Sequence, residues 1–233
     1  MVGHLLLAGG AEFGGRMAQP DQRAIELAGG ADVPISIIPT AAAADHNERR
    51  AGRNGVNWFH GLGATHVESV PIIDRASAQD AALAAIIRRS RLVYMLGGFT
   101  GYLGETLQQS VCLDAMRAAY DAGAVIAGSS AGAMVMCQYY YDPGQRKVAQ
   151  GFAFVPNACV LPHHNSFGKH WAAQLTTLLP DAVLVGIDEH TGMLDDRHAD
   201  GDKTVWRVYG RGAVTLYYRG RPTTYASGQA CSI

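Results

Sequence analysis

Short apolar runs rich in Val, Ile and Leu alternate with longer stretches whose apolar residues recur at helical spacing. The short runs are 4–10, 33–40, 66–72, 92–97, 124–129, 158–162 and 182–187, and they predict strands. The longer ones, 21–28, 45–61, 78–89, 104–120 and 169–179, predict helices. Such alternation is the mark of an α/β fold, a mainly parallel central sheet with helices on both faces. Ser77 is placed to cap a helix start, and Gly29 and Gly123 to end others. After Glu189 the pattern changes: 204–209, 213–218 and 223–225 read as strands separated by Gly/Arg turns, an antiparallel C-terminal extension. With no repeat or linker, residues 1–233 are expected to form one α/β domain. The least regular stretch, 139–157, is expected to be a loop.

Composition narrows the possible functions. Of 233 residues, 48% are hydrophobic and 17% charged, so a disordered chain is excluded. Lys and Arg total 19 against 20 Asp and Glu, which leaves no basic field to collect nucleic acid or an anionic membrane surface. No apolar run approaches the roughly 18 to 20 residues needed to cross a bilayer. The start, Met1-Val2-Gly3-His4, lacks the charged opening of a signal peptide, so a cytoplasmic protein is expected. Cys112, Cys137, Cys159 and Cys231 form no C-x-x-C pair and are expected to be reduced, buried thiols. The C-terminal tyrosines (Tyr209, Tyr217, Tyr218, Tyr225) either pack within their own sheet or cover a partner, which leaves a homodimer open.

Ligands of open parallel sheets bind beyond the carboxyl ends of the strands. Three such ends are glycine-rich: Gly9-Gly10 with Gly14-Gly15, Gly97-Gly98, and Gly128-Ser129-Ser130-Ala131-Gly132. The first lacks the G-x-G-x-x-G spacing of a dinucleotide site. The last is G-x-S-x-G, lying between an apolar strand and a helix-compatible run, the setting of a nucleophile elbow. Small neighbours let the chain turn sharply at Ser130 and lift its hydroxyl clear of the sheet. The Ala131 N–H is then one oxyanion donor, and Gly98 or Phe99, with Thr100 beside them, offers the second.

A serine hydroxyl needs a base, and histidine is suited to the task near neutral pH. Of nine histidines, His163 and His164 end the strand that follows the Ser130 unit. Neighbours on an extended segment face opposite ways, so one of the two is expected to face Ser130. Asp188 and Glu189 at the end of the next strand, or Asp142 twelve residues after Ser130, are candidates to orient that histidine. A metal site built from His163, His164, His170, Asp188, Glu189, His190 or His198 has no tight ligand spacing behind it, and neither a metal nor a cofactor is expected.

The chain resembles the peptidase E and cyanophycinase family of serine peptidases, whose three-layer, flavodoxin-like α/β/α fold is related to class I glutamine amidotransferases. The resemblance rests on Leu7-Ala8-Gly9-Gly10-Ala11-Glu12, Gly97-Gly98, Gly128-Ser129-Ser130-Ala131-Gly132-Ala133, Pro162-His163 and Gly186-Ile187-Asp188-Glu189, in family order. It implies Ser130 as nucleophile, His163 as base and Glu189 as third member. The peptidase E pattern points instead to Asp142 for the third role, and His164 stays an alternative base. The implied activity is cleavage of small peptides or amides next to aspartyl residues through an acyl-enzyme. The alternative is an amidotransferase-like binding or regulatory module. Where the family has G-G-D-Q, and arginines after the histidine, this chain has Gly97-Gly98-Phe99-Thr100 and Ser166-Phe167-Gly168-Lys169. Lys169 and Arg16 are the cations available for a substrate carboxylate.

Overall fold

The computed structural model describes residues 2–196 and 205–233. The expectations that involve His198 and Thr204 lie outside the described residues. Five strands pair in parallel, in the order β1-β5-β4-β2-β3 with β3 at the edge, in an eight-stranded sheet: β1 (His4–Ala8), β2 (Pro34–Ile38), β3 (His66–Ser69), β4 (Leu92–Met95) and β5 (Val125–Ser129). Residues of β1, β2, β4 and β5 alternate between two cores, as a strand buried on both faces requires, whereas those of β3 are exposed or half-buried. Leu6, Ile35, Ile37 and Tyr94 pack on one side against α1 (Ala18–Ala28) and α2 (Glu48–Gly61). Leu5, Leu7, Val93 and Met95 pack on the other side. There they meet α4 (Ala81–Arg89), α5 (Thr100–Leu107), α6 (Val111–Asp121) and α7 (Ala131–Met136).

The expected helix over 104–120 is two helices. Gln109 takes a positive φ of 55° and the Ser110 side chain accepts from the Leu113 N–H, which starts α6 afresh. Ser77 is not an N-cap. Asp74 and Asp80 cap α3 (Arg75–Ala78) and α4, while the Ser77 hydroxyl closes the Asp74 capping box.

The strands expected at 158–162 and 182–187 form, but in a second sheet. It comprises β6 (Cys137–Asp142), β7 (Lys147–Gln150), β8 (Val155–Leu161), β9 (Val183–Ile187), β12 (Ala213–Tyr218) and β13 (Arg221–Ala226). The stretch 139–157 is therefore mostly strand, a hairpin of β6 and β7 turning through Pro143 and Gly144. β10 (Thr191–Asp195), β11 (Trp206–Gly210) and β14 (Ala230–Cys231) extend the first sheet antiparallel beside β1. The helix expected over 169–179 is a short 3-10 turn followed by α8 (Ala172–Leu178).

All six residues of α7 are buried, and its core continues into Val160, Leu161 and Val185 of the second sheet. Backbone hydrogen bonds stitch the two sheets at their carboxyl ends. The His163 N–H donates to Gly9 O at 2.7 Å and the His190 N–H to Gly10 O at 3.2 Å, while the Gly9 N–H continues the β1–β10 pairing to Thr191 O at 2.9 Å. The ends of β1, β4 and β5 therefore meet those of β8 and β9. No helix among the described residues is long and apolar enough to cross a membrane.

Candidate active site

Ser130 sits between β5 and α7 at φ 49°, ψ −111°, a region that a side-chain-bearing residue occupies at a cost. The surrounding glycines make the turn passable. A Cβ on Gly128 would lie 2.4 Å from Gly132 C, and one on Gly132 would lie 2.2 Å from Met95 O of β4. The strand and helix therefore cross at contact distance only because both side chains are missing, and the Ser130 hydroxyl is left facing the carboxyl edge.

Ser130 Oγ is 3.0 Å from His163 Nε2, and His163 Nδ1 is 2.8 Å from Glu189 Oε1. A carboxylate only accepts, so Nδ1 carries the proton toward Glu189 and Nε2 is free to accept from Ser130. His163 itself has φ 48°, and its ring occupies the space over Gly10, where a Cβ would stand 2.3 Å from Cε1. The Glu189 backbone is tied by its N–H to Asn165 Oδ1 at 3.0 Å. Phe167 stacks on His163 with ring centroids 4.7 Å apart and 25° between planes, and Trp171 packs edge-on against it. Phe167 carries no sequence signal for this role, because a lone aromatic in an irregular segment has no periodicity to betray it.

The other two candidates for these roles lie elsewhere. His164 turns into the second sheet, where Nε2 is 2.8 Å from the Tyr217 hydroxyl and Nδ1 is 3.5 Å from Asp188 Oδ1. Burial depresses its pKa, partly opposed by Asp188. Asp142, 6% exposed, ends β6 and does not reach His163; its Oδ1 accepts from the N–H groups of Gly144 and Gln145. It belongs to the hairpin turn that walls the cleft.

The turn after β4 lies beside Ser130. The Gly97 N–H donates to Glu12 Oε1 at 3.2 Å and the Phe99 N–H to Ala41 O at 2.8 Å. The Gly98 and Ala131 N–H groups are left without an acceptor among the described residues. Of the two candidates for second donor, Gly98 is therefore the one available, while Phe99, 53% exposed, offers its ring. Thr100 also lines the cleft, but its hydroxyl is directed at Met134 Sδ, 3.6 Å away.

From Gly98 a cavity of about 690 Å³ extends past Thr100 and Tyr102 to Glu105, Asp142 and Gln145. Among the described residues no Lys or Arg lines it; Lys169 and Arg16 are exposed elsewhere. On the opposite face of the first sheet, burial pushes the Asp21 carboxyl up to about 7, opposed by the Trp58 N–H bond and reinforced by Glu12. The four cysteines are buried free thiols. Among the described residues no cluster of three His, Cys, Asp or Glu is arranged to hold a metal.

A serine on a strained strand-to-helix turn, bonded to a histidine that is itself bonded to a carboxylate, defines the site of a serine hydrolase. The chain belongs to peptidase family S51, whose model matches residues 5–198, and is a serine peptidase. It is 29% identical over 227 residues to a cyanophycinase of Synechococcus elongatus, covering 92% of this chain and 67% of that one. It is 27% identical over 225 residues to the cyanophycinase of Geminocystis herdmanii, covering 91% and 79%. A crystal structure of a peptidase from an acI-B1 actinobacterium superposes with a TM-score of 0.87 at 28% identity, covering 100% of this chain and 98% of that one. That of a putative peptidase E protein from Listeria monocytogenes EGD-e gives 0.63 at 16%, covering 90% and 99%, and shares the fold.

Proposed function

We propose that this peptidase cleaves short peptides or small amides next to an aspartyl residue, through an acyl-enzyme on Ser130. The observation that carries the reading is the hydrogen-bonded line from Ser130 Oγ through His163 to Glu189, at 3.0 and 2.8 Å. His163 Nε2 takes the Ser130 proton as Oγ attacks the carbonyl carbon. The Gly98 and Ala131 N–H groups receive the charge that develops on the carbonyl oxygen. Glu189 holds the imidazole in the reactive tautomer and stabilises its charged form. The imidazolium gives its proton to the leaving amine, and water repeats the sequence to release the acid.

The aspartyl preference rests on the cyanophycinase relatives. The cavity beside the nucleophile favours a substrate whose remaining part is neutral or cationic, because Glu105 and Asp142 line it without a basic partner among the described residues. A peptide joining an aspartyl unit to a basic one meets both conditions, and β-aspartyl-arginine is the first substrate to try. Neither nucleic acid nor a membrane surface enters this reading.

Mass-spectrometric turnover of β-aspartyl-arginine, Asp-X dipeptides, other short peptides and glutamine, with Ser130→Ala alongside, tests it. Cleavage of an aspartyl peptide is expected with wild type only, and a chelator should leave the rate unchanged. Equal turnover by Ser130→Ala would refute the mechanism. Serine-dependent cleavage confined to peptides without aspartate would refute the substrate class.

A further inference from the structure

We infer that Glu12 is a positioning residue for the reaction at Ser130, clamping the two turns that flank the nucleophile. The inference rests on the Ser130 reading above. Glu12 lies in the turn after β1, where Ala11 and Phe13 have φ of 57° and 62°. The Phe13 ring anchors that turn against Trp58 and Tyr94, with centroids 6.4 and 5.9 Å away. From there the carboxylate reaches both neighbouring strand ends. Oε2 accepts from the Ser129 hydroxyl at 2.8 Å, and Oε1 accepts from the Gly97 N–H at 3.2 Å. A Cβ built on Gly97 would lie 2.9 Å from Glu12 Oε1 and 3.2 Å from Ser130 Cβ, so carboxylate and nucleophile flank the same backbone atom.

Two consequences follow from the chemistry of a carboxylate. It accepts without donating, so the hydroxyl of Ser129 is held as a donor to Glu12, away from His163. The oxyanion donor is oriented in the same way. With the Gly97 N–H fixed on Glu12 and the Phe99 N–H fixed on Ala41, the peptide between them is held at both ends. That peptide carries the Gly98 N–H. Glu12 therefore acts through Gly97 and Ser129 and touches no reacting atom. No Lys, Arg or His forms an ion pair with it among the described residues, which separates this role from surface charge pairing.

The test follows phosphonylation of Ser130 by a fluorophosphonate, which needs no knowledge of the substrate. The Oγ–P bond forms, fluoride leaves and His163 takes the proton. Wild type labelled at Ser130, with Ser130→Ala unlabelled, secures the underlying reading. Against that baseline, Glu12→Ala should lower the maximal labelling rate about 10- to 100-fold, with the half-saturating probe concentration little changed. Glu12→Gln, which keeps one acceptor, should recover part of the rate. Ser129→Ala should cost less than Glu12→Ala, and adding it to Glu12→Ala should cost nothing further. Should Glu12→Ala fail to fold, Glu12→Gln and Ser129→Ala with their double variant decide the matter. Wild-type labelling rates in these variants, or losses that simply multiply in the double variant, would overturn the inference, whatever the melting temperatures.

Discussion

His163 and His164 are adjacent, each faces a carboxylate from the adjacent pair Asp188 and Glu189, and their environments differ in every respect that matters for chemistry. His163 is 19% exposed, bonds the strained Ser130 hydroxyl and rests on Glu189. His164 is buried against Gly186, bonds the Tyr217 hydroxyl and rests on Asp188. The chain leaves the extended conformation after β8 and turns at His163, φ 48°, which parts the two side chains, so the same residue pairing yields a proton relay on one side and a pin between β8 and β12 on the other. An imidazole beside a carboxylate is thus not by itself a catalytic feature; what it bonds with its second nitrogen decides.

Substitutions at the two histidines break this comparison most sharply. His163→Ala should slow Ser130 labelling about 10³-fold or more while the protein stays folded, as kinetic labelling beside circular dichroism would show. A loss under tenfold would mean that another group takes the proton. Next in size are the two carboxylates: Glu189→Gln should cost about 10- to 100-fold in the same assay, whereas Asp188→Asn should fall within about threefold of wild type. A reversed order would exchange the roles assigned to the two pairs.

The smaller effects lie in stability. His164→Ala removes a buried hydrogen bond and ring packing, and should cost about 2 kcal/mol in urea unfolding. Its labelling rate should stay within about threefold of wild type, because the residue faces away from Ser130. A pH dependence sharpens the contrast further. The folded-state pKa of His164 is depressed by burial, so as pH falls through about 6.5 the unfolded chain takes up a proton that the native state resists. Stability contributed by neutral His164 is present above that range and lost below it. Wild-type unfolding free energy should fall from pH 7 to 5 more steeply than that of His164→Gln. Parallel profiles would show that His164 is not the group responsible.

Much of this arrangement was legible in the amino-acid sequence, for reasons that differ from element to element. β1, β2, β4 and β5 announce themselves because strands buried on both faces are continuous apolar runs. The elbow is legible because only small residues survive at Gly128 and Gly132, where backbone meets backbone. The hairpin of β6 and β7 looks like a loop in sequence because Asp142-Pro143-Gly144 breaks the run, although Tyr139, Tyr140 and Tyr141 are strand-forming residues. β10 has a weak sequence signal because Gly192 interrupts a five-residue strand, its side-chain space being filled by Leu6 and Pro20. The membership of β8 and β9 in a second sheet depends on pairing between distant segments, which no local pattern encodes. Their histidine and glutamate still reach Ser130, because both sheets present parallel carboxyl ends to one edge.

Among the site residues, Ser130, His163 and Glu189 carry sequence signals for their roles, whereas Glu12 closes a recognisable motif that gives no hint of its role, and Phe167 and Glu105 have no signal. Their contributions arise from where the fold aims a common residue type. Asp142 shows the converse: its position twelve residues after the nucleophile resembled a triad acid, yet the hairpin carries it into the cleft wall.

The most direct test of the account is the site of phosphonylation, read by peptide mapping after brief exposure of the wild-type protein to a fluorophosphonate. Ser129 is one residue away but fully buried and bonded to Glu12 instead of His163, so label there would contradict both its burial and its bonding. The account predicts label on Ser130 alone, lost in His163→Ala and kept in His164→Ala. Label on Ser129, or label on Ser130 that is insensitive to His163, would contradict it.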